Sequence, residues 1–235
     1  TDFIEGTTIT CMTSDSRQVW MVEKSTELYC YTLGGGRPAQ IEIERLIPFG
    51  FNYNSIGSVN YTKSGHLLVS TDNVVLTFKV NEDGSLAYIR MDSVLPIQTN
   101  LIMTEGVDGK LWIGGSGIYT SGDSYVAQAV EARFSPSGVS AICPLSNGEM
   151  AFAFKYQGRV LLNEKTGEQR VLDLSEQYEG IIIASIFEKE DGTVWLGTMA
   201  HGLMVLEPKS LMLTLMDESR GHGNIKTICQ PAEGV

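Results

Sequence analysis

The chain has 235 residues, 43% of them hydrophobic and 19% charged, which is ordinary for a globular protein with enough chain for a sizeable core. Its formal net charge of −11 argues against nucleic acid and anionic membrane surfaces as main partners. No window approaches the eighteen or so apolar residues of a membrane span, so no direct membrane insertion by this segment is expected.

Read in order, the chain repeats itself. Cys11 is an apolar anchor, followed by a turn at Ser16-Arg17 and the strand Gln18-Val19-Trp20-Met21-Val22. Val59 anchors a second copy, with Ser64-Gly65 as the turn and His66 to Thr71 as the strand. Met103 anchors a third: Val107-Asp108-Gly109-Lys110-Leu111-Trp112-Ile113-Gly114-Gly115, then Ile118-Tyr119. Ile142 anchors a fourth, through Ser146-Asn147-Gly148 and Glu149-Met150-Ala151-Phe152 to Gly158. Ile186 anchors the fifth, Glu190-Asp191-Gly192-Thr193-Val194-Trp195-Leu196-Gly197-Thr198, followed by His201-Gly202-Leu203-Met204-Val205-Leu206. A sixth copy opens at Ile225-Lys226-Thr227-Ile228-Cys229.

The fifth copy is the most informative. Asp191-Gly192 predicts a two-residue hairpin turn of type I′, because glycine accepts the positive φ required there. Val194, Trp195 and Leu196 are consecutive and apolar, which predicts a strand buried on both faces. Four strands are expected, near 183–188, 193–198, 203–207 and 211–216.

The anchors recur about every 40–45 residues, with about four short strands per unit, and that period is the signature of a β-propeller. Helical solenoids of similar period need long stretches of 3.6-residue periodicity. The only weak candidate is around Leu174 to Gly180, so the fold class is all-β. The expected architecture is a β-propeller of four-stranded antiparallel blades, with five repeats plus the start of a sixth. As one propeller segment over 1–235, its blades fall at approximately 1–50, 51–96, 97–134, 135–178 and 179–221, with a partial blade at 222–235. Two arrangements are open: an arc of a larger, seven-bladed type of propeller, or a five-bladed ring. The chain starts at Thr1 without an initiator Met and reads as a mature form or a fragment. Cys11, Cys30, Cys143 and Cys229 fit no zinc or C-x-x-C spacing and are expected to be small buried hydrophobes on strands.

The motif D-G-T-V-W-L-G-T…G-L-M-V-L at Asp191 to Leu206 closely resembles the two-component regulator propeller repeat. V-D-G-K-L-W-I-G-G at Val107 to Gly115 is a second good match, with its following loop shortened. The other copies are degenerate, with Leu68 and Ala151 in place of Trp. The resemblance implies the periplasmic, extracytoplasmic sensor region of hybrid two-component systems or related one-component regulators. It also implies oligosaccharides as ligands, a membrane helix with signalling domains elsewhere in the parent protein, and contacts with neighbouring blades or a homodimer partner.

Trp20, Trp112 and Trp195 invite a sugar-stacking role, but they share one repeat position at the centre of the second strand, which assigns them to packing between blades. Asp108 and Asp191 are expected to be turn residues, one per blade. The loops before the first strand and between the second and third strands are better ligand candidates. Aromatic rings there would stack on sugar faces, and amide or guanidinium groups would bond hydroxyls. The residues selected are Tyr53, Tyr156, His201 and Arg220, within loop sets that also include Tyr178, Asn54 and Asp72. No nucleophile elbow, His-Glu-x-x-His or phosphate-binding loop is present, so no catalytic residue, metal or cofactor is expected. The expectation is a non-enzymatic ligand sensor. The alternatives are a propeller scaffold for protein–protein interaction or dimerisation, and a propeller lyase or glycosidase.

Overall fold

The computed structural model describes residues 9–62, 64–94, 101–121, 127–130, 138–155, 157–163, 166–174, 178, 180–207 and 212–216. They form five four-stranded antiparallel sheets. The first comprises β1 (Ile9–Ser14), β2 (Gln18–Glu23), β3 (Glu27–Thr32) and β4 (Ala39–Ile41). A short helix, α1 (Ile43–Leu46), leads to the second sheet: β5 (Ile56–Tyr61), β6 (His66–Thr71), β7 (Val74–Val80) and β8 (Leu86–Ser93). The third is β9 (Ile102–Glu105), β10 (Leu111–Gly114), β11 (Ile118–Thr120) and β12 (Gln128–Val130). The fourth is β13 (Val139–Pro144), β14 (Met150–Phe154), β15 (Arg159–Asn163) and β16 (Gln169–Asp173). The fifth is β17 (Ile183–Glu188), β18 (Val194–Thr198), β19 (Leu203–Glu207) and β20 (Met212–Met216). Every sheet keeps its strands in chain order, so each is an up-and-down meander, the blade of a propeller. The sixth copy, including Cys229, lies outside the described residues.

Two compact units emerge; one holds the first two sheets, the other the last two, and the residues of the third are divided between them. In the first unit, Trp20, Val22 and Leu28 of the first sheet close on Val59, Leu67, Val69, Leu76 and Phe78 of the second. Each such buried side chain contributes about 1.5–3 kcal/mol relative to exposure. In the second unit, Ala151, Ala153, Val160 and Leu162 of the fourth sheet meet Ile186, Val194, Leu196 and Met204 of the fifth.

Repetition extends to irregularities. A register shift breaks the first strand pair at Ile9/Cys11, Ile56/Ser58, Val139/Ala141 and Ile183/Ser185. A bulge of one residue at the same place in four sheets is a built feature of the repeat.

The turn at Asp191-Gly192 differs from the type I′ expectation. Lys189 N–H donates to the Thr193 carbonyl and Gly192 N–H to the Lys189 carbonyl, both at 2.9 Å. Gly192 has φ +83° but Asp191 does not have positive φ, so the loop is a three-residue one closed by a left-handed glycine. Asp191 serves it as a turn residue: its Oδ1 accepts from Thr193 N–H at 3.0 Å. Asp108 does the same for Lys110 N–H at 3.1 Å.

The first sheet turns more tightly. Asp15 N–H donates to the Gln18 carbonyl, leaving only Ser16 and Arg17 in the loop. That shortening moves the register by one residue. Met12, not Cys11, pairs with Met21 as Val59 pairs with Val69 and Ile186 with Leu196. Val59 (7% exposed) and Ile186 (9%) lie in cores between successive sheets, while Met12 on the corresponding face of the first sheet is 62% exposed.

Two of the three tryptophans pack as their repeat position requires. Trp20 is fully buried and stacks on Tyr61 at 5.2 Å between ring centroids. Trp112 is 8% exposed and lies 5.6 Å from the Phe152 ring. Trp195 is half-buried, which corrects the expectation that both faces of β18 are covered. Val194 and Leu196 point into the core with the fourth sheet, and alternation puts Trp195 on the opposite face. There the Lys189 ammonium lies 5.4 Å from its ring. Cys11, Cys30 and Cys143 are half-buried rather than fully buried, because their strands border the cores.

Candidate functional site

In the first unit three connections meet: the β2–β3 turn, the segment from α1 to β5, and the β6–β7 turn. Ile56 N–H donates to the Ser25 carbonyl at 2.6 Å. Tyr53 Oη donates to the Thr26 carbonyl at 3.1 Å. Asn54 gives both its backbone N–H (3.1 Å) and its Nδ2 (3.3 Å) to the Asp72 carboxylate. Lys24, Ser25 and Asp72 have φ of +50°, +60° and +47°. Left-handed backbone costs a non-glycine residue roughly 1–2 kcal/mol, and here it is confined, among the described non-glycine residues, to the two turns that hold Tyr53 and Asn54.

Tyr53 lines a cavity of about 430 Å³ together with Glu27, Gln40, Glu42, Glu44 and Arg45. Burial, followed by the neighbouring Glu44 and Glu27 carboxylates, pushes its phenol up to about 12. The phenol therefore stays neutral and remains a hydrogen-bond donor across the physiological range. The guanidinium of Arg45 is paired with Glu42 at 2.5 Å, and Gln40 Nε2 reaches Glu27 at 3.4 Å.

His201 belongs to the second unit, in the β18–β19 turn. Its backbone N–H donates to Thr198 Oγ1 at 2.9 Å, and that hydroxyl donates to the Gly202 carbonyl at 2.8 Å. The imidazole stands edge-on to Tyr178, 5.6 Å between centroids, so two residues drawn from separate predicted loops are brought together. Tyr156 and Arg220 lie outside the described residues. Among the described residues, no group of three or more His, Cys, Asp or Glu side chains is arranged to hold a metal ion.

A second cavity, a groove of about 790 Å³, runs beside β4 and shares Gln40, Ile41, Glu42 and Arg45 with the Tyr53 cavity. Its other residues include Gln18, Arg37, Asp83 and Leu86, none of them among the candidates expected from sequence. Gln18 opens β2 and Leu86 opens β8, while Arg37 lies in the β3–β4 connection and Asp83 in the β7–β8 turn. The one local signal was Gly34-Gly35-Gly36-Arg37, a glycine run ending in a cation.

No protein-family model matches the chain, and no curated protein matches it in sequence. Solved structures do match. Virginiamycin B lyase from Staphylococcus aureus superposes with a TM-score of 0.67 at 16% identity, over 88% of this chain and 68% of that one. A structure described as the extracellular domain of a hybrid two-component system from B. thetaiotaomicron gives 0.63 at 21% identity. That match covers 84% of this chain but only 26% of the larger domain. A protein of unknown function from Bacteroides caccae gives 0.63 at 14% identity, over 95% and 86% of the two chains. At such identities the likeness is one of fold. The five meander sheets and these superpositions together define the chain as a β-propeller protein. No helix among the described residues is long and apolar enough to cross a membrane.

Proposed function

We propose that this chain is a non-enzymatic, extracytoplasmic sensing segment of a two-component receptor, with oligosaccharides as its ligands. The observation that carries the reading is the Tyr53 cavity. A neutral phenol, an amide, carboxylates and a guanidinium surround a space of about 430 Å³ where the connections carrying Thr26, Glu42, Glu44, Arg45 and Tyr53 meet the edge of the first sheet at Glu27, Gln40 and Ile41. Such a mixture bonds hydroxyl groups through both donors and acceptors, and the ring offers a face to sugar C–H groups. The Asp191–Leu206 motif and the likeness to the two-component extracellular domain support the signalling context. His201 with Tyr178, and the loops bearing Tyr156 and Arg220, are proposed as further contact points.

Sensing works by differential affinity: the ligand stabilises one arrangement of the segment against its neighbours or a dimer partner, and signalling modules read the change. A thermal-shift screen of the chain against neutral oligosaccharides tests this. Stabilisation by a sugar, reduced in Tyr53→Ala, is the expected result. Turnover of the added sugar would instead establish the propeller-lyase or glycosidase reading, which the virginiamycin B lyase likeness keeps as the rival. Absence of binding to any sugar would leave the scaffold.

A further inference from the structure

The groove beside β4 lies at the border of the first unit's core, where Cys30, Ile41, Leu46 and Leu86 turn from that core to line it. It is formed within the first unit, between the β3–β4 connection, β4 and α1 on one side and the β7–β8 turn on the other. Its volume of about 790 Å³ is within the roughly 300–1,000 Å³ of ligand clefts.

Gln18 is at its floor. The side chain is only 7% exposed, and its Oε1 is buried with no hydrogen-bond partner among the described residues. An unmade hydrogen bond at a buried acceptor is costly, so this oxygen favours the arrival of a donor. The amide is held against bare backbone: a Cβ at Gly84 would meet Gln18 Nε2 at 1.8 Å. Only a glycine there lets Gln18 occupy this place.

The remaining chemistry is balanced. Arg37 and Arg45 supply two cations, and Glu42 and Asp83 two anions. The groove by itself therefore has no net charge, and the adjoining Tyr53 cavity adds the carboxylates Glu27 and Glu44, so the two together disfavour an anionic ligand. Ile41, Leu46 and Leu86 add apolar wall between the polar groups. Donors and acceptors of both signs, spaced by aliphatic surface, match a ligand with many hydroxyls and exposed C–H faces.

From these observations we infer that the groove beside β4 binds the extended part of a neutral oligosaccharide whose first ring occupies the Tyr53 cavity. The two cavities have Gln40, Ile41, Glu42 and Arg45 in common, which sets them side by side along β4 and the start of α1. The inference rests on the sensing reading and adds to it a site, a direction and a charge class.

Calorimetric titration of the chain with neutral gluco-, xylo- and manno-oligosaccharides, from single sugars to hexamers, tests it. Affinity is expected to rise with ligand length. Arg37→Ala, an exposed loop substitution, should weaken hexamer binding about tenfold or more and leave the shortest ligands unchanged. Gln18→Leu should act in the same direction, with its fold checked by circular dichroism. Length-dependent binding that survives both substitutions overturns the groove and leaves sensing intact. Tighter binding of oligogalacturonates or of a decapeptide overturns the neutral ligand. Failure of every sugar to bind overturns the groove and the sensing reading together.

Discussion

Replacing Trp20 by alanine is the most direct test of how the blades are held together. Trp20 is fully buried between the first and second sheets, stacked on Tyr61 at 5.2 Å with an interplanar angle of 15°. Removing about 200 Å² of apolar surface at roughly 25 cal/mol per Å² gives about 5 kcal/mol, and large-to-small core substitutions of aromatic residues measure about 3–5 kcal/mol. Trp20→Phe should cost far less, for two reasons. Phenylalanine keeps most of the stack. It also removes an indole N–H that is buried with no partner among the described residues, a defect worth about 1–3 kcal/mol on its own. Trp195→Ala, at the same repeat position but half-buried, should cost less than Trp20→Ala. Urea denaturation followed by far-UV circular dichroism reads these differences as midpoint shifts at constant slope. Because Trp20 and Trp195 belong to different compact units, two transitions can separate, and each substitution should move its own. Equal losses at Trp20 and Trp195 would refute the argument that burial by the next blade, not the motif itself, sets the contribution.

Four further outcomes follow from named contacts. Ser70→Ala should cost about 1–3 kcal/mol in a denaturation experiment. It removes the oxygen that accepts Ser58 N–H at 2.8 Å and a hydroxyl that donates to the Leu101 carbonyl at 2.8 Å. Gly192→Ala should lower stability by roughly 1–2 kcal/mol through backbone strain alone, since φ is +83° and nothing lies within 4 Å of the new Cβ. Tyr53, raised to about 12, should appear in an absorbance titration as a tyrosine ionising later than an ordinary one. Its neutral form is the one the fold favours, so its contribution is complete below about pH 10 and is lost as pH rises towards 12, a dependence that Tyr53→Phe should abolish. Asp191 is lowered to about 2, first by the Thr193 hydroxyl, then by the Thr193 N–H and by Lys189. Its contribution is present above about pH 4 and disappears as pH falls towards 2, and carboxyl NMR of Thr193→Val should show that value moving back up.

The repeat was legible because a blade cannot bury its faces alone. That requirement puts an apolar anchor, a turn glycine and a central Trp or its substitute at fixed spacing, and four sheets repeat even the bulge in the first strand pair. Details that depend on a neighbour were not legible. Trp20 and Trp195 have the same local sequence role, yet one is sealed by Tyr61 and the other is half-open. Turn length also depends on how the flanking strands pair. Asp191-Gly192 matches the type I′ dipeptide, but the strands it joins pair Glu188 with Val194, which forces a longer loop. In the first sheet, Asp15 closes a shorter loop by accepting the N–H groups of Arg17 and Gln18 on its carboxylate, and the anchor moves from Cys11 to Met12.

The candidate site follows a different logic. Conserving a blade's shape fixes its strands and hairpin glycines but leaves connections free to vary in length. The link between β4 and β5 uses that freedom: it inserts α1, carries Tyr53 and Asn54, and supplies Glu42, Glu44 and Arg45 to the cavities. Tyr53 could be selected from sequence because an aromatic residue in a loop stands out from the strand pattern, although its ring also packs against the first unit's core and beside Phe51. Gln18 could not, since it opens a regular strand and looks like a solvated edge residue. Only the approach of Gly84, from a hairpin 66 residues later in the chain, buries its amide and leaves an acceptor without a partner. Packing between successive blades thus creates the lateral groove as a by-product, and the variable connections decide what that groove can bind.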